Sequence, residues 1–108
     1  MVNKRQKGMR HELKVQKQLE KEGWITYRVK GSTKFNKDVD MFHLFDIFAI
    51  YGTLAQGHKI IVRKYIQVKS KKPSLVPFKE FKEKYCDNND FVQIWTYKAR
   101  KGFEIINI

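Results

Sequence analysis

The sequence predicts a single α/β domain in which helices lie on both sides of a mixed β-sheet. Its 108 residues match the size of one small domain. A composition of 42% hydrophobic and 14% aromatic residues is enough for one modest core. Helical and strand patterns follow one another in the order α-β-β-β-α-β-β, which favours a central sheet flanked by helices.

A basic arm, residues 1–7, is predicted to be flexible and to precede the first helix. This helix is expected to run from about Gly8 and to stop at Gly23, because glycine suits the end of a helix. A short strand rich in aromatic and β-branched residues follows at 24–29. Residues 30–40 are predicted to be a polar loop.

Two strands are predicted in the middle of the chain. Residues 44–51 form a strongly apolar strand interrupted by one acid, Asp46, and residues 59–69 form a long strand. Residues 52–58 must then join the two strands as an extended hairpin.

The second half of the chain predicts one helix and two strands. Two prolines within residues 70–77 break the preceding strand. Apolar residues at the i, i+3 and i+7 positions predict an amphipathic helix over 78–85. The strands 91–97 and 103–108 are joined by a segment that suits a hairpin.

The formal net charge of +12 predicts a polyanionic partner, and nucleic acid is the commonest one. Cys86 is the sole cysteine, so neither an internal disulfide nor a cysteine-based zinc site is expected. The N-terminal segment is charged and no apolar run approaches membrane-spanning length. We therefore expect an intracellular protein with no membrane contact.

Glu12 shares a helix face with Val15 and Leu19, because the three residues lie at i, i+3 and i+7. This spacing puts a carboxylate on the stripe that packs against the sheet. The alternative, which the helix alone favours, is that Glu12 lies at the edge of the stripe and reaches water.

Asp46 is harder to explain as a surface residue, because apolar residues flank it on both sides. A buried charge is costly unless it is paired or coordinates a metal. The alternative is an acid at the end of a strand, exposed at the rim of the sheet.

Gln67 and Lys69 alternate with Ile66 and Val68 in the long strand, so the two polar residues share one face and the two apolar residues face the core. If Asp46 lies on the neighbouring strand, its carboxylate can meet both polar side chains at one end of the sheet. Two carboxylates, counting Glu12 from the helix, and an amide oxygen suit a hard cation such as Mg²⁺. The lysine ammonium suits the charge that develops on a phosphate under attack.

These motifs resemble the PD-(D/E)XK nuclease superfamily, in a variant with glutamine in place of the second acid. The likeness rests on the helix bearing Glu12, on FDIFAI around Asp46, on YIQVK around Gln67 and Lys69, and on YRVKGST at 27–33. Within that superfamily, the chain is most similar to the archaeal Holliday-junction resolvases and their virus or plasmid relatives. The resemblance implies a restriction-endonuclease-like fold, with a mixed central sheet flanked by helices.

The resemblance also implies a metal-dependent DNA endonuclease that uses Mg²⁺, with Mn²⁺ as a substitute. Asp46 would be the central metal ligand, joined by the side-chain oxygen of Gln67 and the main-chain carbonyl of Val68. Lys69 would activate the attacking water and stabilise the transition state. Glu12 would contact a metal directly or through water.

The implied partner is DNA, with a branched substrate preferred and a homodimer placing two sites on it. Trp95 and Tyr97 in the terminal strands are candidates for the dimer surface, with ordinary core packing as the alternative. Ser32 would contact the DNA backbone near the scissile phosphate. Other phosphate contacts, each individually explicable as solvated surface, are predicted at Arg10, Lys30, Lys34, Lys71 and Lys72.

Several alternatives stay open at this point. Asp40 is a second candidate for the metal-anchoring acid, and His43 is a candidate for proton transfer or a structural residue. Asp87 and Asp90 fall in a turn, where aspartate is expected. The rival functions are a non-catalytic nucleic-acid-binding module, a sequence-specific restriction or homing-type nuclease, and a small ribonuclease.

Overall fold

The computed structural model of the protein describes residues 4–29 and 44–108. They form a mixed α/β structure with two helices and a five-stranded sheet, and the order of elements is the one that the sequence predicts. The elements are α1 (Lys4–Lys21), β1 (Ile25–Arg28), β2 (Ile47–Ala55), β3 (His58–Lys69), α2 (Val76–Tyr85), β4 (Asp90–Lys98) and β5 (Gly102–Asn107).

The strand order in the sheet is β1-β2-β3-β4-β5, the same as the order along the chain. All neighbouring pairs are antiparallel except β3 and β4, which are parallel. A parallel pair needs a crossover connection, and α2 lies within it. The mixed character of the sheet is thus confirmed.

The two helices cover opposite faces of the sheet. Ile66 and Val68 of β3 pack in one buried cluster with Val15 and Leu19 of α1. Tyr65, the neighbour of Ile66, packs against a second cluster that includes residues of α2. Because successive strand residues point to opposite faces, α1 and α2 lie on different sides, as predicted.

The end of α1 is fixed by glycine, as the sequence indicates. Gly23 has a φ of +96°, a left-handed conformation that side chains rarely adopt. Its N–H donates to the Glu20 carbonyl at 3.1 Å, and the Trp24 N–H donates to the Leu19 carbonyl at 3.0 Å. These two bonds satisfy carbonyls that the helix end leaves open. A Cβ at Gly23 would also lie 3.3 Å from the Tyr51 ring.

Several element boundaries differ from the prediction. The first helix begins at Lys4 and not near Gly8, so it includes residues 4–7 of the predicted arm. The second strand begins at Ile47, so Asp46 precedes the strand and does not interrupt it. The strand then continues to Ala55, well into the segment predicted as a connection.

A tight turn at Gln56 and Gly57 joins β2 to β3 and confirms the extended hairpin. Their φ values are 52° and 78°, the two positive angles of a type I′ turn, whose twist matches that of the flanking strands. Among the described residues, β1 pairs with β2 only up to Ile50 and β4 pairs with β3 only from Arg63. Residues 51–62 therefore form a two-stranded ribbon beyond the rest of the sheet. Neither of the described helices has the length and apolarity required to span a membrane.

Candidate functional site

Asp46 lies immediately before β2, between Val29 on the β1 side and Ile66 of β3. Its N–H donates to the Ile66 carbonyl at 2.9 Å, and its carbonyl accepts from the Val29 N–H at 2.8 Å. The side chain is buried, and its Oδ2 atom accepts a hydrogen bond from the Val68 N–H at 2.9 Å. The alternative of a solvent-exposed rim acid is therefore wrong.

The same geometry orients the main chain of Val68. Ile47 and Ile66 are the last residues paired between β2 and β3. Beyond this pair, the Val68 N–H donates to the side chain of Asp46 in place of a main-chain partner on β2. The N–H and C=O groups of one strand residue point toward the same neighbour. The Val68 carbonyl is consequently directed to the edge that holds the Asp46 carboxylate.

Gln67 and Lys69 lie on the α2 side of the sheet, opposite the cluster that packs on α1. Their partners on β4 are Ile94 and Thr96. The two side chains differ in exposure, because Gln67 is only 4% exposed whereas Lys69 is open to solvent. The shared face is as predicted, but Gln67 is a buried residue at the base of the site and Lys69 is its accessible cation.

Glu12 approaches the same end of the sheet from the α1 side. Its Oε1 atom lies 3.3 Å from Nη1 of Arg28, and its side chain is 18% exposed. Arg28 pairs with Ile47, the residue that follows Asp46, which places the ion pair beside the start of β2. Glu12 is thus neither fully solvated nor free of a partner, and it lies on the face opposite Gln67.

The oxygen groups near Asp46 fit a hard cation. One carboxylate, the Gln67 amide and the Val68 carbonyl offer the oxygen ligands that Mg²⁺ prefers, with water completing the shell. Among the described residues, no three His, Cys, Asp or Glu side chains come together as a metal site. Within residues 4–29 and 44–108, a cation at Asp46 would depend on this one carboxylate together with amide and main-chain oxygens, unless Glu12 leaves Arg28.

The predicted DNA contacts fall into two groups. Arg10 on α1 and the pair Lys71 and Lys72 after β3 are exposed. The remaining predicted residues lie outside the described part of the chain, namely Lys30, Ser32, Lys34 and the rival site residues Asp40 and His43.

The two turn aspartates differ in environment. Asp87 is exposed and accepts the Asn89 N–H at 2.8 Å, as expected of an aspartate in a turn. Asp90 is buried at the start of β4, where its Oδ1 atom lies 3.2 Å from Nη1 of Arg63. Asp90 therefore has a structural partner on the neighbouring strand.

The terminal strands do not offer the aromatic dimer surface considered from the sequence. Trp95 is 1% exposed and donates its Nε1–H to the Gln93 side chain at 3.0 Å. Tyr97 is partly buried and stacks on His11. Core packing, the alternative interpretation, is the correct one for Trp95.

Two polar residues near the site carry no clear signal in the sequence. His11 is buried and stacks on Tyr97 with ring centroids 4.1 Å apart. Its spacing to Val15 and Leu19, i, i+4 and i+8, could have shown that it shares their face. Thr96 lies beside Lys69, and its hydroxyl is the one fully buried side-chain polar atom without a hydrogen-bond partner in the described part of the chain.

Comparison with known proteins finds no family model and no curated protein that matches the chain.

Proposed function

We propose that the protein is a metal-dependent DNA endonuclease with a restriction-endonuclease-like fold. The observation that supports this most directly is the 2.9 Å hydrogen bond from the Val68 N–H to the Asp46 carboxylate. It holds a buried acid against the strand segment that carries Gln67 and Lys69. An acid, an amide and a lysine are thus carried by neighbouring positions at one end of the sheet, in a chain of net charge +12.

The reaction would be hydrolysis of a phosphodiester bond. Asp46, Gln67 and the Val68 carbonyl would hold Mg²⁺, and Mn²⁺ would substitute for it. The bound cation supplies an activated water and neutralises phosphate charge. Lys69, whose side chain is open to solvent, would place its ammonium group against the phosphate and stabilise the charge that develops there.

Glu12 has two roles compatible with its position. It could contact the cation after releasing Arg28, or it could hold Arg28 as a fixed cation near the bound DNA. The 3.3 Å ion pair favours the second role in the unbound protein. Replacing Arg28 with methionine separates the two, because it removes the Arg28 ion pair from the Glu12 carboxylate and should tighten metal binding only in the first case.

DNA recognition would depend on structure more than on sequence. The exposed cations Arg10, Lys71 and Lys72 are dispersed over α1 and the segment after β3. Dispersed phosphate contacts position a duplex without reading its bases. We therefore propose a preference for branched DNA, cut by a homodimer that presents two sites to two strands.

A non-catalytic DNA-binding module is the second candidate. The neutral Gln67 and the pairing of Glu12 with Arg28 favour it, because both reduce the negative charge available to a cation. The two candidates predict the same affinity for DNA but differ in whether any strand is cut.

The test is cleavage of labelled four-way, flapped and linear DNA of matched length in Mg²⁺, Mn²⁺ or EDTA. We expect cleavage of the four-way substrate that stops in EDTA, and competition by an unlabelled junction that exceeds competition by linear duplex. The salt concentration is held fixed, because affinity depends steeply on it. Binding without cleavage in either metal would favour the non-catalytic module. A cut at one short duplex sequence would indicate a restriction or homing-type enzyme, and cleavage of RNA alone would indicate a ribonuclease.

A further inference from the structure

A row of three aromatic side chains crosses β1, β2 and β3 on the α2 side of the sheet. Tyr27 pairs with Phe48, and Phe48 pairs with Tyr65. Residues paired across neighbouring strands place their side chains next to each other on one face. The row is open at its β1 end, because Tyr27 is 61% exposed, and Phe48 and Tyr65 are partly exposed with ring centroids 5.4 Å apart.

This aromatic row lies directly beside the candidate site. Tyr65 precedes Gln67 by two residues on β3, so the two side chains share a face and are about 7 Å apart along the strand. At the other end, Tyr27 precedes Val29 by two residues, and the Val29 N–H donates to the Asp46 carbonyl at 2.8 Å. Tyr65 is therefore close to Gln67 along β3, and Tyr27 is close in sequence to the main-chain contact of Asp46.

The charges on this face suit a polyanion. Along β3 this face carries Arg63, Tyr65, Gln67 and Lys69 in that order. Tyr65 and Gln67 therefore lie between two basic side chains. Asp90 holds the Arg63 guanidinium at 3.2 Å, and the Arg63 side chain is still 38% exposed. Strands β1, β2 and β3 contain no acid. Acids near this face are Asp90 at the start of β4 and, on α2, Glu80 and Glu83, which line a groove with Tyr65 and Lys84.

We propose that Tyr27, supported by Phe48, is a stacking platform for an unpaired DNA base adjacent to the phosphate that the site cleaves. Aromatic side chains stack on any base, because every base presents a π-face. The position next to the scissile phosphate rests on the proposed function, whereas the stacking itself does not require cleavage. A substrate with unpaired or easily unstacked bases near the cut would then be favoured over continuous duplex.

A second copy of the chain is the competing occupant of this face, because Ile25 beside Tyr27 is 72% exposed. Two-fold packing of the face on itself would bring the exposed Arg63 and Lys69 side chains of both copies together. Like charges in apposition disfavour such an interface. The same two basic side chains attract the phosphate backbone of a DNA strand whose base stacks on the aromatic row.

The test measures binding to single-stranded DNA in EDTA, so that cleavage does not contribute. A fluorescent adenine analogue in the strand reports stacking, and a duplex of matched length is the comparison. The variants are Tyr27→Ala, Tyr27→Leu and Tyr27→Phe. The control is Tyr85→Ala, because Tyr85 is 69% exposed on α2 and is not one of the three residues of the aromatic row. It lines a groove with Tyr65, Glu80, Glu83 and Lys84.

We expect Tyr27→Ala and Tyr27→Leu to weaken single-strand affinity about tenfold, which matches the loss of one stacked base. Duplex affinity and the dependence on salt should not change, because no cation is removed. The analogue's fluorescence change on binding should be lost in both variants and retained in Tyr27→Phe and Tyr85→Ala.

Unchanged single-strand affinity in Tyr27→Ala, or an equal loss on duplex and single strand, would overturn the stacking platform. Sedimentation tests whether a second copy of the chain occupies this face. If Tyr27→Ala dissociates a dimer and Tyr27→Leu does not, the face is a self-association surface and not a stacking platform. A wild-type protein that never cuts DNA would refute the proposed nuclease, while the binding results would still decide for or against the platform.

Discussion

The Val68 amide donates a hydrogen bond of 2.9 Å to the buried Oδ2 atom of Asp46. Val68 stands between Gln67 and Lys69 in the sequence, so this one bond fixes the carboxylate relative to both side chains. A main-chain donor thus contacts the acid directly. Asp46 is therefore positioned before any ligand binds, which reduces the ordering that binding would otherwise require.

Replacing Asp46 with asparagine should abolish metal-dependent cleavage and leave DNA binding intact. Asparagine keeps an oxygen for the Val68 N–H but removes the charge, so the fold should be preserved. Asp46→Ala should additionally lower the free energy of unfolding by about 1–3 kcal/mol, because a buried N–H loses its partner. Cleavage assays and urea denaturation measure the two effects. The matched control is Asp87→Asn, because Asp87 is an exposed turn residue. Normal turnover by a folded Asp46→Asn protein would contradict the proposal that Asp46 holds the catalytic metal.

Lys69→Ala should lose most cleavage, whereas Lys71→Ala should mainly weaken binding. Lys69 shares the strand face of Gln67, and Lys71 lies beyond the end of β3. A group that stabilises charge or transfers a proton in the transition state contributes about 10²–10⁴-fold in rate. Loss of one phosphate contact should instead make the salt dependence shallower by about one unit. Single-turnover cleavage and salt titrations separate the two effects, and similar kinetic losses in both variants would contradict the assignment.

Gln67→Glu should retain activity and bind Mg²⁺ more tightly, because the carboxylate keeps the ligand oxygen and adds a charge. Gln67 is 4% exposed, so the new charge is costly to bury when no cation is present. The variant should therefore have a lower Tm than wild type in EDTA and a larger rise in Tm on adding Mg²⁺. Gln18→Glu on the exposed side of α1 should show neither effect. A folded Gln67→Glu protein that is inactive and gains nothing from Mg²⁺ would mean that Gln67 acts as a hydrogen-bond donor.

Gln56→Asn should stabilise the protein by about 0.5–1 kcal/mol. Gln56 adopts a φ of 52° in the type I′ turn, where asparagine followed by glycine is strongly preferred. The reverse test is Gly57→Ala, which should destabilise because φ is +78° although nothing lies within 4 Å of the added Cβ. Thermal denaturation of the two variants should shift Tm in opposite directions, and a shift in the same direction would show that the turn geometry differs from type I′.

The elements that local chemistry determines could be predicted from the sequence. Gly23 ends α1 because only glycine readily takes its left-handed conformation, and the spacing of Phe78 and Phe81 correctly predicts α2. The alternation of Ile66 and Val68 with Gln67 and Lys69 correctly separates the two faces of β3.

Features that depend on contacts between distant segments could not be predicted. Asp46 is flanked by apolar residues on both sides, which suggests a strand interior, yet its side chain bonds to Val68 of another strand and β2 begins only after it. Glu12 is at the predicted helix face, but its partner Arg28 is 16 residues away in sequence. Nothing local indicates that Gln67 is buried, because its burial depends on the elements that close over β3. Pairing across strands likewise creates the aromatic row of Tyr27, Phe48 and Tyr65, which no single segment reveals.

The identity of strand order and chain order has a consequence for how the protein folds. Every strand pairs with the strand immediately before or after it, and α2 connects β3 to its next partner, β4. The mean sequence separation of contacts, the contact order, is kept low by such a topology, and low contact order is associated with fast folding. The β2–β3 hairpin closes through a turn of only Gln56 and Gly57, so it has the smallest loop-closure entropy to overcome. We expect this hairpin to form early and to serve as the template for its neighbours, with β1 assembling on β2 and β4 assembling on β3, the strand that carries Gln67 and Lys69.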